Sequence, residues 1–312
     1  MFFKKRKSTK KPDMETQVKN FVLKPQLQSE QHLQEITDFY DEATADYAFW
    51  SKNLNMHYGY MKNFKQFFNR ESMLEQMNKE VFERLSLPPN ALVLDSGCGT
   101  GASSRTLVKQ NEDCQVIGLN IVESHLTLGK KLNRQHPSGK RIDLIRTDYH
   151  CIPLPNSVAD GIFAMESLCH STNKALWVKE SSRLLKPGGR VVITDCFLQN
   201  PAKPMRKTGK WAYKLFRKCW SVPHLAEIHL FKTMLEDEGF EDVQIEDARW
   251  KVAPSVLHSP LLVLKFFLVN LLKGKKSNQQ SDKNLKAVLL SILIGLDTRS
   301  FSYFIVSARK KD

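Results

Sequence analysis

An α/β fold on a doubly wound, seven-stranded, mainly parallel sheet is predicted by three features of this 312-residue chain. Strand and helix signals alternate from residue 91 to residue 195. An apolar strand that ends in an acid runs straight into a glycine-dense turn at 95–101. Polar residues then recur at the ends of successive strands. Alternating signals imply parallel strands joined by helical crossovers, and such a sheet binds its ligand at the carboxyl ends of its strands.

The elements follow in order. Residues 1–30 are polar and lysine-rich, which predicts a basic arm ahead of the fold. From 31 to 77 the pattern is helical and rich in aromatics, among them Phe39, Tyr40, Tyr47, Trp50, Tyr58 and Tyr60. It predicts a helical cap within 31–90. Strands are expected at 91–95, 115–119, 142–146 and 160–165, with helices after Gly101, from Glu123 and over 173–186. Lys186-Pro187-Gly188-Gly189 predicts a sharp turn and 190–195 a fifth strand. Leu225, Ile228, Phe231, Met234 and Leu235 mark one face of a helix that Gly239 ends. A sixth strand is expected at 243–245 and the last at 301–307. Two leucine-rich segments, 256–272 and 285–296, are each shorter than the ~20 apolar residues of a membrane span. The sheet domain thus covers 91–312, with a hydrophobic helical insertion at about 252–298 before the last strand.

Composition narrows the function. Six cysteines, at 98, 114, 151, 169, 196 and 219, show no C-x-x-C spacing, which argues against a zinc site or a disulfide framework and for a reducing, cytoplasmic compartment. No Asp/His cluster has metal-ligand spacing. The start, Met1 to Lys7, is charged but has no following apolar run, so no secretory leader is expected. A net charge of +14 is concentrated at 4–11, 203–218 and 273–276, the latter two beside aromatic or leucine-rich sequence. Basic plus apolar predicts peripheral contact with an anionic membrane, at roughly 1 kcal/mol per Lys or Arg; a solvated basic face is the plain alternative. Nucleic acid fits poorly. The fourth strand ends in Ala164-Met165-Glu166-Ser167, unlike the N/D-P-P-Y segment of amino-methylating DNA enzymes, and neither Cys98 nor Cys169 follows a proline.

The turn Asp95-Ser96-Gly97-Cys98-Gly99-Thr100-Gly101 carries the strongest signal. Glycine permits positive φ and close backbone approach to a ligand, and the following helix offers the positive end of its dipole. Its spacing, D-x-G-x-G-x-G, differs from the G-x-G-x-x-G of dinucleotide sites. It resembles motif I of the class I S-adenosylmethionine (SAM) methyltransferases. Further segments narrow the likeness. Met165-Glu166-Ser167-Leu168-Cys169-His170-Ser171 is similar to the E-x-x-x-H segment of sterol C-methyltransferases and tocopherol-type methyltransferases. Phe39-Tyr40-Asp41-Glu42 with Tyr47, Trp50 and His57-Tyr58-Gly59-Tyr60 resembles their aromatic amino-terminal region, and Gly101-Ala102-Ser103-Ser104-Arg105 their G-G-S-S-R continuation, with Ala102 in place of a glycine. The likeness spans about 35–310.

The resemblance implies SAM as cofactor, held by Asp95, Gly97, Cys98, Gly99, Gly101, Asn120, Asp148, Tyr149 and Tyr40. Asn120 takes the place where many relatives present an acid to the ribose diol, and Asp148 the place of a carboxylate that accepts from the adenine amino group. Tyr47, Trp50 and Tyr58 are expected to surround the acceptor and the sulfonium with π faces, though each reads equally as packing of an aromatic helix. His170 first, then Glu166, are the expected proton-accepting or orienting groups. Together these imply methyl transfer to a small lipophilic acceptor such as a sterol, prenylquinol or other terpenoid. N- or O-methylation of an alkaloid- or polyketide-like molecule is the alternative within enzymes, and a non-catalytic SAM-binding or membrane-docking protein the alternative outside them.

Overall fold

A computed structural model describes residues 29–199, 205–272 and 279–312. Residues 1–28 of the expected arm, Lys203 and the lysines at 273–276 lie outside these.

The sheet has the predicted seven strands: β1 (Leu92–Ser96), β2 (Gln115–Asn120), β3 (Ile142–Arg146), β4 (Ala159–Met165), β5 (Leu185–Leu198), β6 (Phe240–Asp247) and β7 (Phe301–Lys310). They run in the order β3-β2-β1-β4-β5-β7-β6. β1 to β5 pair in parallel, and β7 is antiparallel to both β5 and β6. The chain winds outward from β1 to β3 and then restarts at β4 on β1's other edge. The crevice between these two strands' carboxyl ends is therefore the topological switch point.

Helices cover both faces, which is why the strands carry short continuous apolar runs, Leu92 to Leu94 in β1 and Val191 to Ile193 in β5. α1 (Glu30–Trp50) precedes the sheet, and α2 (Arg70–Leu85) packs Met77, Val81, Phe82 and Leu85 under it, joined by Leu107 and Val108 of α3 (Ala102–Gln110) against Val93, Val116, Phe163 and Val192. α4 (Glu123–Gln135) follows β2. On the other face, α5 (Lys174–Leu184) buries Trp177 and Val178. Beyond α6 (Lys207–Cys219), α7 (Ile228–Asp237) buries Phe231 and Leu235 against Leu94, Ile162, Ile193 and Val306. Each such side chain contributes about 1.5–3 kcal/mol by leaving water. α8 (Arg249–Leu257), α9 (Ser259–Leu272) and α10 (Gln279–Leu296) form the insertion before β7. No helix among the described residues is long and apolar enough to cross a membrane.

Two local expectations are corrected. Residues 186–189 do not precede the fifth strand as a turn: β5 already begins at Leu185, and Gly188, at φ +75°, absorbs a register shift against β4. Nor is 31–77 helical throughout. α1 stops at Trp50, and after an irregular stretch only a 3-10 turn (Phe64–Phe68) precedes α2. The backbone of 58–61 forgoes helical bonds because tertiary acceptors replace them: the Tyr58, Gly59, Tyr60 and Met61 amides donate to Glu166, Ser255 Oγ, the Met73 carbonyl and the Lys251 carbonyl. Gly59 is required there, since a Cβ would lie 2.5–2.8 Å from Met73 and Leu74 atoms. Of the segment 31–90, α1 overlies the crevice while α2 belongs to the layer beneath the sheet.

Candidate functional site

The glycine turn is shaped by hydrogen bonds at its start and by steric limits further on. The Gly97 and Cys98 amides both donate to the Leu119 carbonyl (2.9 and 3.0 Å), which ties the loop to the end of β2. Gly97 and Gly99 have φ of +78° and +53°. A Cβ on Gly97 would sit 2.4 Å from Ser167 Cβ, and one on Gly99 2.8 Å from Met56 Sδ. Asp95, at the end of β1, accepts from Ser104 Oγ at 2.6 Å, and burial pushes its carboxyl up to about 7. Gly101 also has positive φ, +76°, but it is the N-cap of α3 and its free side faces Arg105 and Leu144. Ala102 and Ser103, at the start of α3, line the cavity in its place.

That cavity, about 830 Å³ including its open mouth, gathers most residues singled out from the sequence: Tyr40, Asp95, Gly97, Cys98, Gly99, Asn120, Asp148, Tyr149, Glu166 and His170. Asn120 is spent mainly on the loop, donating from Nδ2 to the Gly99 carbonyl and accepting the Val122 amide on Oδ1, both at 3.2 Å. One amide hydrogen and one lone pair are left for a ligand diol. Asp148 Oδ1 accepts the backbone amide and Nδ1 of His150 (3.0 and 2.6 Å), which holds its carboxyl below the usual range; His150 Nε2 in turn meets Ser171 Oγ at 2.8 Å. Tyr149 Oη donates to the Ser167 carbonyl. Acceptors at three strand ends match the ammonium, diol and amino donors of SAM, and the Cβ-free cradle at Gly97 and Gly99 matches close backbone approach. The residues present fit that cofactor.

A second cavity, about 1020 Å³ including its open mouth, adjoins the first and shares Tyr40, Met56, His57, Glu166 and His170 with it. Phe39, Trp50 and Tyr58 line it from the amino-terminal region, Phe216 and Trp220 from α6 and the turn after it, Val288 from α10 and Tyr303 from β7. Tyr47 lies on α1, and its side chain is outside the described residues.

The shared wall holds both expected catalytic groups. Glu166 sits just past β4 at φ +51°, a left-handed conformation that costs a non-glycine residue about 1–3 kcal/mol. Its amide donates to the Thr194 carbonyl, and Oε1 accepts the Tyr58 amide (2.6 Å) and Tyr303 Oη (2.8 Å). Burial pushes its carboxyl up to about 8. His170 ends a 3-10 turn (Leu168–His170). Nδ1 faces the Ser221 carbonyl at 3.4 Å and Nε2 the Tyr40 hydroxyl at 2.9 Å. A carbonyl only accepts, so Nδ1 carries the proton and Nε2 accepts from Tyr40. Burial lowers His170 to about 4, so the ring is neutral over the physiological range.

Met56, Arg70, His150 and Tyr303 were not legible as site residues, and His57 was legible only as part of His57-Tyr58-Gly59-Tyr60. The other four belong to no motif, and Tyr303 reads in sequence only as one aromatic in an apolar strand.

Comparisons with known proteins agree with this geometry. Residues 94–193 match the family model described as a methyltransferase domain. The chain is 26% identical over 216 residues to cycloartenol-C-24-methyltransferase 1 of Oryza sativa subsp. japonica, covering 68% of this chain and 60% of that one. It is 28% identical over 222 residues to the 2-methyl-6-phytyl-1,4-hydroquinone methyltransferase of Synechocystis (70% and 69% covered), and 27% identical over 184 residues to an O-methyltransferase of Pyrenophora dematioidea (59% and 67%). Among solved structures, the cyclopropane synthase MmaA2 of Mycobacterium tuberculosis superposes with a TM-score of 0.76 over 89% of this chain and 98% of that one, at 14% identity, which speaks to the fold.

Proposed function

Given that the chain is a SAM-dependent methyltransferase of the class I fold, we propose that it methylates a small lipophilic acceptor such as a sterol, prenylquinol or other terpenoid. The observation that carries this reading is the meeting of two cavities, one holding the glycine turn and the polar strand ends, the other lined largely by aromatic and apolar side chains, across a shared wall that includes Glu166 and His170.

SAM supplies an electrophilic methyl group. The acceptor forms a bond to that carbon while the sulfur keeps the electron pair of the bond that breaks. This chain's residues position the partners, which is the main source of rate in such transfers. The His170 ring is neutral and its one lone pair, on Nε2, is held by the Tyr40 hydroxyl, which presets the ring; when the acceptor takes that hydroxyl's place, Nε2 receives the proton the acceptor releases. Glu166, buried and hydrogen-bonded, holds the Tyr58 segment over the acceptor. Trp50 and Tyr58 line the same cavity and so supply aromatic rings near developing positive charge.

The decisive experiment incubates the protein with methyl-labelled SAM and fractionated cellular lipids, then identifies labelled products by mass spectrometry. A labelled terpenoid or sterol supports the proposal. Label on an alkaloid- or polyketide-like nitrogen or oxygen replaces it with the reading that the Pyrenophora relative favours. Tight calorimetric binding of SAM and its demethylated product, without transfer to any fraction, replaces both with a non-catalytic SAM-binding role.

The source of such an acceptor is proposed to be an anionic membrane surface. Leu257, Leu261, Leu264, Leu268 and Leu272 recur at three- and four-residue steps along α8 and α9, and the four on α9 are 50–86% exposed. Phe64 and Phe68, 72% and 76% exposed, extend this face, because His258 at the head of α9 contacts the Phe67 carbonyl and ring. Lys62, Lys65 and Lys265 are exposed on the same segments. An apolar stripe flanked by lysines suits the headgroup boundary of a bilayer.

A further inference from the structure

Arg70 opens α2 at the wall of the apolar cavity. Nη1 donates to the Trp50 carbonyl, while Nε is buried without a hydrogen-bond partner. Among the described residues no carboxylate lies within ion-pair distance of it. The three acids nearby are engaged elsewhere. Glu71 accepts from Ser51 Oγ and the Lys52 amide, each at 3.1 Å. Glu166 Oε1 is taken by Tyr58 and Tyr303. Asp195 accepts the Cys169 and Cys196 amides at 2.8 and 2.7 Å.

A guanidinium stays charged in any protein environment, and withdrawing it from water without a counter-charge is costly. The fold therefore keeps a cation at the edge of an aromatic cavity with Glu71 and Glu166 close enough to act on it electrostatically but with no carboxylate in direct contact among the described residues. A ligand oxyanion removes that cost, and the planar fork pairs with carboxylate or phosphate through two parallel hydrogen bonds. Phe39, Trp50, Phe216, Trp220 and Val288 form an apolar part of the wall that suits a hydrocarbon chain, while the carboxyls in the lining, Glu166 and Asp195, are already hydrogen-bonded within the protein.

We infer that Arg70 holds a carboxylate or phosphate at one end of the methyl acceptor, whose apolar body lies against Phe216, Trp220 and Val288. The inference rests on the methyl-transfer reading of the two cavities and, among lipophilic acceptors, selects acidic amphiphiles such as an isoprenoid acid or phosphate over neutral sterols and prenylquinols. A neutral acceptor of the same length leaves the guanidinium desolvated and unpaired, so Arg70 acts as a specificity determinant.

The test uses calorimetry on the full chain with S-adenosylhomocysteine present and three twelve-carbon probes below their micelle concentrations: dodecanoate, dodecyl phosphate and dodecanol. Wild type should bind the better acid at least ten-fold tighter than the alcohol, and the stronger of the two acids names the oxyanion. Arg70→Gln should bring that ratio close to one, and Arg70→Lys, which keeps the charge and loses the fork, should leave it in between, with S-adenosylhomocysteine affinity unchanged in both. Equal binding of acids and alcohol by wild type overturns the inference, as does an acid preference that survives in Arg70→Gln. If Arg70→Gln does not fold, an undiminished preference in Arg70→Lys overturns it equally. Failure of wild type to bind S-adenosylhomocysteine sinks the methyl-transfer reading instead, which separates the two failures.

Discussion

Tyr40 Oη lies 2.9 Å from His170 Nε2, although 130 residues separate them, and their rings meet edge to face with centroids 5.5 Å apart. One hydrogen bond thus joins the helix over the crevice to the end of the fourth strand's loop. Since His170 Nδ1 is committed to the Ser221 carbonyl, Tyr40 fixes which ring nitrogen faces the two cavities.

If His170 takes the acceptor's proton, His170→Ala lowers kcat about 10²–10⁴-fold while the Kd for SAM stays within two-fold. Tyr40→Phe lowers kcat less, because the ring stays but its orientation loosens. Equal loss of turnover and SAM binding in His170→Ala removes the assignment.

The pH profile separates the two candidate bases. Burial lowers His170 to about 4, so its neutral form is present from about pH 5 upward and kcat should be flat there. Burial raises Glu166 to about 8, so a rate that climbs toward pH 8 transfers the role to Glu166. Stability follows Glu166 in the opposite sense. A carboxyl whose pKa is raised in the fold stabilises below its ordinary value near 4.5 and loses that contribution as pH rises through about 8. Thermal unfolding of Glu166→Gln should therefore depend less on pH across that window than unfolding of wild type.

The glycines of the turn are not equivalent. Gly97→Ala combines left-handed strain of about 1–2 kcal/mol with a Cβ only 2.4 Å from Ser167 Cβ. It should weaken S-adenosylhomocysteine binding at least ten-fold and lower stability by more than that strain alone. Gly101→Ala meets its neighbours at 3.4 Å and outward, away from the cavity. It should lose about 1–2 kcal/mol of stability and keep cofactor affinity, and calorimetry with thermal denaturation checks both.

Sedimentation with vesicles containing anionic lipid should carry the protein down at low salt and release it as ionic strength rises. Leu264→Ser with Leu268→Ser should abolish sedimentation without affecting S-adenosylhomocysteine binding, since both leucines are at least half exposed. Vesicle binding that ignores both salt and these substitutions would refute the proposed face.

Apart from 185–189, where β5 begins earlier than expected, residues 91–198 were legible because their instructions are local. Val93, Leu94 and Asp95 leading into Gly97 and Gly99 specify a strand and a left-handed turn within seven residues, and Asn120, Asp148 and Glu166 each follow a recognisable strand. The aromatic region was legible in content and not in shape. Residues 58–61 carry a helical pattern, yet their amides are satisfied by Glu166, Ser255, Met73 and Lys251, partners that sequence spacing does not reveal.

By itself the sequence determined the sheet, the glycine turn and the set of polar strand ends, because periodicity and backbone conformation are properties of neighbouring residues. Only the tertiary structure decided which side of the turn faces the cavity, excluding Gly101 and admitting Ala102, and that Tyr40, Tyr58 and Tyr303 converge on His170 and Glu166. It likewise left Arg70 without a contact ion pair among the described residues. Convergence and burial arise from contacts between segments far apart in the chain, and desolvation, which sets the charge of every group at this site, exists only once those segments have packed together.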